Sequence, residues 1–198
     1  MEIRNAHPRV LPLIAERWSP RAFDGSAVLE DDLDVILEAA ALAPSAFNYQ
    51  PWRFLYSHRD DANWGLFLSL LIPFNASWAN GAGVLLFIVS DSVMLQGDEA
   101  NPSYSHSFDA GAAWAQMALQ ATALGYHAHG MTGIDFDRIR TELAVPDSFR
   151  IEAAVAIGRR GSPEILPEGL RAREVPSGRK PVSDLANAGS FASLLRPQ

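Results

Sequence analysis

The chain has 198 residues, 48% of them hydrophobic and 20% charged, enough for one substantial core in a single domain. With 23 acidic against 16 basic side chains the formal net charge is −7, which argues against sequence-independent nucleic-acid binding while leaving room for a local basic pocket. Cysteine is absent, so disulfides, thiolate catalysis, iron–sulfur clusters and cysteine-ligated zinc are excluded, and any hard chemistry needs another source.

Helical spacing begins near residues 8–16 and becomes clear at 30–42, where Leu33, Ile36, Leu37 and Ala40 recur at i, i+3, i+4 and i+7 behind an acidic first turn of Glu30, Asp31 and Asp32. The helix runs into Ala43 to Trp52 (APSAFNYQPW), which places hydroxyl, amide and indole groups on a backbone stiffened at Pro44 and Pro51. A mere connector needs no such mixture, so this loop reads as a binding element. Trp52 to Ser57 alternates like a strand, Asp60 to Leu71 reads as a helix, and Val84 to Ser90 is a continuous apolar run expected of a strand buried on both faces.

The polar stretch Leu95 to His106 is the candidate for a mobile cover. Ser107 to Gly125 is the longest predicted helix, small or apolar on nearly every face, with Gly125 as its C-terminal cap; such a helix belongs in the centre of the fold or in a subunit interface. A strand near 126–131, a helix at 136–144 stopped before Pro146 and a strand at Ile151 to Ile157 follow. From Gly158 the periodicity stops, and Pro163, Pro167, Pro176 and Pro181 mark a long arm that is either functional or wrapped over a partner. Alternating strands and helices predict an α/β or α+β sandwich, with helices flanking a mixed central sheet. No segment approaches the roughly 20 apolar residues of a membrane span and no signal peptide is visible, so the expectation is a cytoplasmic chain with no membrane or nucleic-acid partner.

Arg17-Trp-Ser19-Pro-Arg21 sets two guanidinium forks and a hydroxyl within five residues, either a phosphate grip or a solvated pair at a helix end. Arg171, Arg173, Arg179 and Lys180 form a second basic cluster, either an anion focus or a solvated loop. His127 and His129 share one face of a strand, and without a third ligand nearby they read as a packed, hydrogen-bonded pair in preference to a metal site. Gly81-Ala-Gly83 precedes its strand, the wrong order for a dinucleotide-binding turn, and marks a tight strand entry. No nucleophile elbow or phosphate loop is present.

Taken together, ERWSPRAFDGSAV, EAAALAPSAFNYQPWRF, DAGAAWAQMALQATALGYHAHGMTGID, AVAIG and GRKPVSDL resemble, in that order, the FMN-dependent nitroreductase family. The resemblance implies one α+β FMN-binding domain over 1–198 with an extended C-terminal arm from about 159, assembled as a homodimer with FMN at the interface. It implies that Arg17, Trp18, Ser19 and Arg21 contact the phosphate, ribityl chain and pyrimidine end of FMN. Pro44, Ser45, Ala46, Phe47 and Asn48 would reach the flavin from the partner subunit, with Gln50 in support. Met131, Thr132 and Gly133 would lie along the flavin near its reactive nitrogen, and Arg179 with Lys180 would close on the phosphate.

The implied activity is ping-pong transfer from NAD(P)H to a nitroaromatic, quinone or similar small electron-poor acceptor. A specialised reductase or dehalogenase on the same fold, or a non-catalytic flavin-storing homodimer, stands as the alternative. No catalytic side chain is assigned, protons coming from solvent or a hydroxyl such as that of Thr132. Trp18 and Phe47 are bulkier than the residues common at these positions and are expected to narrow the site.

Overall fold

A computed structural model describes residues 6–191. In chain order the elements are α1 (Pro12–Glu16), α2 (Glu30–Ala41), β1 (Trp52–His58), α3 (Trp64–Ser69), α4 (Pro73–Ala79), β2 (Val84–Asp91), β3 (Val93–Gln96), β4 (Glu99–Pro102), α5 (His106–Ala123), β5 (His127–Met131), α6 (Phe136–Glu142), β6 (Phe149–Gly158) and α7 (Glu168–Arg171). Four strands form the central sheet in the order β1-β2-β6-β5, and β3 with β4 makes a separate hairpin. Helices cover both faces, an α+β layering as expected from the sequence.

The sheet departs from the mixed one expected: among the described residues every pairing in it is antiparallel. Strand–helix alternation suggests parallel crossovers. Here α3 and α4, and later α6, are instead the arms of long hairpins that return the chain in the opposite direction.

β2 carries its side chains alternately to two cores and is buried from Val84 to Ser90. Leu85, Phe87 and Val89 join Ala154 and Ala156 of β6 against α3, α4 and α6. Val84, Leu86 and Ile88 join Val155 and Ile157 against α2 and α5. α2 seats Leu33, Ile36 and Ala40 in this second core, with Leu37 packed alongside. α5 lays Ala110, Ala113, Met117, Ala118 and Ala121 against the same core and ends at Gly125, whose φ of +78° suits the left-handed residue after a helix.

One irregularity matters for the cleft. Ile88 pairs with Ala153 but Val89 pairs with Ile151, so Glu152 is an extra residue in β6. Such a bulge turns side chains out of strict alternation.

The predicted helix over 60–71 is shorter, and Pro73, at the first turn of a helix where its missing N–H costs nothing, starts the unanticipated α4. Leu95 to His106, expected as an irregular cover, includes most of the β3–β4 hairpin, turned at Gly97 with φ +63°. Among the described residues no helix is long and apolar enough to cross a membrane.

Candidate functional site

The arm after β6 folds back at once: Arg159 O accepts from Asp24 N at 3.1 Å, and Gly161 N donates to Ala22 O at 2.8 Å. This pairing brings residues 173–179 beside 17–21 within one chain. The join is completed by Glu174, 2% exposed, whose Oε1 accepts the backbone N–H groups of Arg21 and Ala22, both at 2.8 Å.

Arg17, Arg21, Arg173 and Arg179 therefore line one crevice of about 410 Å³, together with Trp18 and Ser19. Arg17 donates to Ser19 Oγ at 3.3 Å. Arg179 and Lys180 also line, with Arg17, a neighbouring groove beside α1. Arg171 belongs elsewhere, paired with Glu164 at 2.8 Å, so the second basic cluster divides.

The crevice opens into a cleft of about 1030 Å³ whose lining includes Arg17, Ser19, Arg21, Met131, Thr132 and Gly133. Its apolar wall is the outer face of α5, where Gly111, Trp114 and Ala115 look into the space. Gly130 and Gly133 permit close approach: a Cβ on Gly130 would lie 3.1 Å from the Trp114 ring, and one on Gly133 would lie 2.5 Å from Asn75 Nδ2. Asn75, 8% exposed, donates to Gly133 O at 2.9 Å and so fixes the turn after β5.

Burial, with a smaller push from neighbouring cations, depresses the basic groups around the crevice. Burial, then the Arg173 charge, lowers the Arg21 pKa, partly offset by Glu174. His127 is lowered by burial and by Arg160 and Arg17. His129 is pushed down to about 4, chiefly by burial with a smaller push from Arg21, against hydrogen bonding to the Pro20 carbonyl. His129 is packed and hydrogen-bonded as the sequence suggested, its Nδ1 lying 2.8 Å from Pro20 O, whereas His127 packs edge-on to Trp18 with its buried Nδ1 unpartnered among the described residues. Trp18 is 5% exposed with the Arg160 guanidinium over its ring, so its bulk is mainly absorbed by the fold.

Pro44, Ser45, Ala46, Phe47, Asn48 and Gln50 line neither the crevice nor the cleft. Their loop is tied to the start of α5 by Ala46 N to Asp109 Oδ2 at 3.2 Å, and internally by Gln50 N to Ser45 Oγ at 3.0 Å. Phe47, Asn48 and Gln50 all have positive φ (53°, 55° and 52°), a conformation that costs free energy and is concentrated at binding sites. Phe47 is 85% exposed, an apolar side chain presented outward.

Gly81 and Gly83 serve as the tight strand entry expected, a Cβ at Gly83 falling 2.7 Å from Ser26 O. Asn75 and Glu174 were missed in the sequence reading. The only signal for Glu174 was an acid set between arginines, which a count of cations passes over.

The cleft fits a planar ligand with an anionic end. It offers guanidinium forks at one end, an apolar wall, and a buried Arg21 Nε that has no hydrogen-bond partner among the described residues. The nitroreductase family model matches residues 14–63 and 71–159. A crystal structure of an oxidoreductase containing FMN is 52% identical, with a TM-score of 0.93 over 95% of this chain and 96% of that one. An uncharacterized 15.4 kDa protein in the ask 5' region of Mycolicibacterium smegmatis is 30% identical over 65% of this chain and 84% of its own length. The CLA biosynthesis enone reductase of Lactiplantibacillus plantarum is 26% identical over 72% of this chain and 82% of its own length.

Proposed function

Because this chain belongs to the nitroreductase family, we propose that it is an FMN-dependent oxidoreductase that takes electrons from NAD(P)H and passes them, by a ping-pong mechanism, to a nitroaromatic, quinone or similar electron-poor acceptor. The observation that carries this reading is the meeting of cations from both ends of the chain, Arg17 and Arg21 with Arg173 and Arg179, at the end of an apolar-walled cleft. Bound FMN supplies reversible hydride chemistry, which this cysteine-free chain has no side chain to perform.

In this reading Arg17, Arg179 and Ser19, with Lys180 at the rim, bind the phosphate, and Arg21 offers its guanidinium to the pyrimidine end, where negative charge develops on reduction. Trp18 positions its own segment through its buried packing. Met131, Thr132 and Gly133 lie along the ring system, held by Asn75, while the α5 wall excludes water from one side. Pro44, Ser45, Ala46, Phe47 and Asn48, with Gln50 behind them, complete the site of a second copy in a homodimer. The outward Phe47 and the exposed apolar face of α5, where Phe108 is 83% exposed, support that assembly.

A specialised acceptor is the second reading, favoured by the similarity to an enone reductase. Steady-state kinetics with NADH or NADPH against a quinone, a nitroaromatic and an enone test both. Parallel double-reciprocal lines support ping-pong transfer, and intersecting lines contradict it. The acceptor with the highest kcat/KM separates the general from the specialised reading.

A further inference from the structure

The far end of the cleft is polar in a way the flavin reading does not use. The bulge in β6 aims Glu152 toward α5, and Glu152 lines the cleft together with Ser107 of the first turn of that helix. Glu152 Oε1 accepts from Ser107 Oγ at 2.7 Å and from Ser90 Oγ at 2.5 Å. Ser90 Oγ in turn lies 2.7 Å from His106 Nδ1, and His106 to Glu152 is 3.6 Å. Arg150 Nε stands 3.4 Å from the other oxygen, Oε2. Ser90 itself is fully buried, an unusual place for a hydroxyl unless it bridges two groups, as it does here.

Resting on the flavin reading above, we propose that Glu152 is the proton donor to the acceptor, refilled from His106 through Ser90. A quinone, nitro group or enone that takes a hydride, two electrons with one proton, becomes an anion unless a second proton reaches it. Glu152 relays the proton: the O–H bond it gains from Ser90 is matched by the O–H or C–H bond that forms on the reduced acceptor as its own O–H bond breaks, so its charge is the same before and after. In the same movement His106 passes its Nδ1 proton to Ser90 Oγ while the Ser90 hydroxyl proton moves to Glu152, so Ser90 ends as it began and His106 is left one proton short. The His106 side chain keeps 14% of its surface exposed, through which it regains a proton from water. The hydride comes from reduced FMN, which is oxidised in the same turnover. Ser107 and Arg150 hold the carboxylate toward the cleft and are positioning residues.

General acid catalysis contributes on the order of 10²–10⁴-fold. The test follows the two half-reactions of FMN-loaded protein separately by anaerobic stopped flow, in wild type, Glu152→Gln and His106→Gln. Flavin reduction by NADH or NADPH and reoxidation by ferricyanide, which accepts electrons but no proton, should stay within about threefold of wild type. Reoxidation by a quinone should slow about a hundredfold in Glu152→Gln and about tenfold in His106→Gln. Wild-type quinone rates in both variants, or equal slowing with ferricyanide, overturn the proposal. If Glu152→Gln fails to retain flavin, His106→Gln decides alone on the ratio of quinone to ferricyanide rates. Wild-type protein that binds no FMN, or whose FMN no nicotinamide reduces, defeats the underlying reading instead, a different and separately visible result.

Discussion

Glu174 Oε1 lies 2.8 Å from the backbone nitrogen of Arg21, across 153 positions of sequence. The same oxygen takes the N–H of Ala22, so one buried carboxylate satisfies two donors and offsets part of the charge repulsion that Arg173 exerts on Arg21. Glu174→Ala leaves two N–H groups unpaired in the interior, each costing about 1–3 kcal/mol. The expected outcome is a loss of about 2–6 kcal/mol in urea unfolding together with weakened FMN retention; an unchanged midpoint contradicts the anchoring role.

Gly133→Ala tests the close approach at the end of β5. The new Cβ would sit 2.5 Å from Asn75 Nδ2 and 2.7 Å from Ile72 Cδ1, breaking the Asn75 to Gly133 bond or displacing the turn. Overpacking of this kind costs about 1–3 kcal/mol, read as a lower thermal midpoint, and the displaced turn should lower kcat as well. Wild-type stability and turnover would show that the turn is not held as described.

His129 gives the pH dependence. Its folded pKa of about 4 lies below the unfolded 6.5, so between these values the unfolded chain binds the extra proton. The contribution is fully present above pH 6.5 and is lost progressively toward pH 4, on the order of 3 kcal/mol in all. Urea titrations of wild type and His129→Gln across this range should differ in slope, the variant being flatter; parallel curves contradict the assignment.

Arg17→Ala removes one guanidinium from the crevice. Loss of a charge-assisted phosphate contact is expected to cost about 1.5–3 kcal/mol, a ten- to hundredfold weaker Kd for FMN by fluorescence titration. An unchanged Kd refutes its phosphate role.

Phe108, on the open face of α5, reports on assembly. The homodimer predicts a dimer mass in light scattering and a shift toward monomer in Phe108→Glu, since each buried Phe contributes about 1.5–3 kcal/mol. A strictly monomeric wild type that holds FMN tightly would contradict a site shared between subunits.

Much of this was legible in the residues. Leu33, Ile36 and Ala40 set the inner face of α2, the unbroken run from Val84 marked the central strand, and Gly125 marked the end of α5. The two arginine clusters were visible, but only the family resemblance implied that they meet at one phosphate, because the backbone pairing of Asp24 with Arg159 carries no side-chain signature. Glu152 was hidden for a similar reason. In a regular strand its side chain would fall on the opposite face from Ala153, and only the bulge sets it beside Ser107. The hairpin of β3 and β4 was obscured by its polar, weakly alternating sequence, and α4 by Pro73, which reads as a break until it is recognised as a helix start.

The most direct measurement is an anaerobic titration of the purified, FMN-loaded protein with NADH or NADPH, followed by visible absorption and completed by adding a quinone. The expected result is a yellow protein that bleaches with one equivalent of nicotinamide per flavin and regains its colour with the acceptor. A colourless protein that takes up no added FMN, or bound flavin that neither nicotinamide reduces, contradicts it.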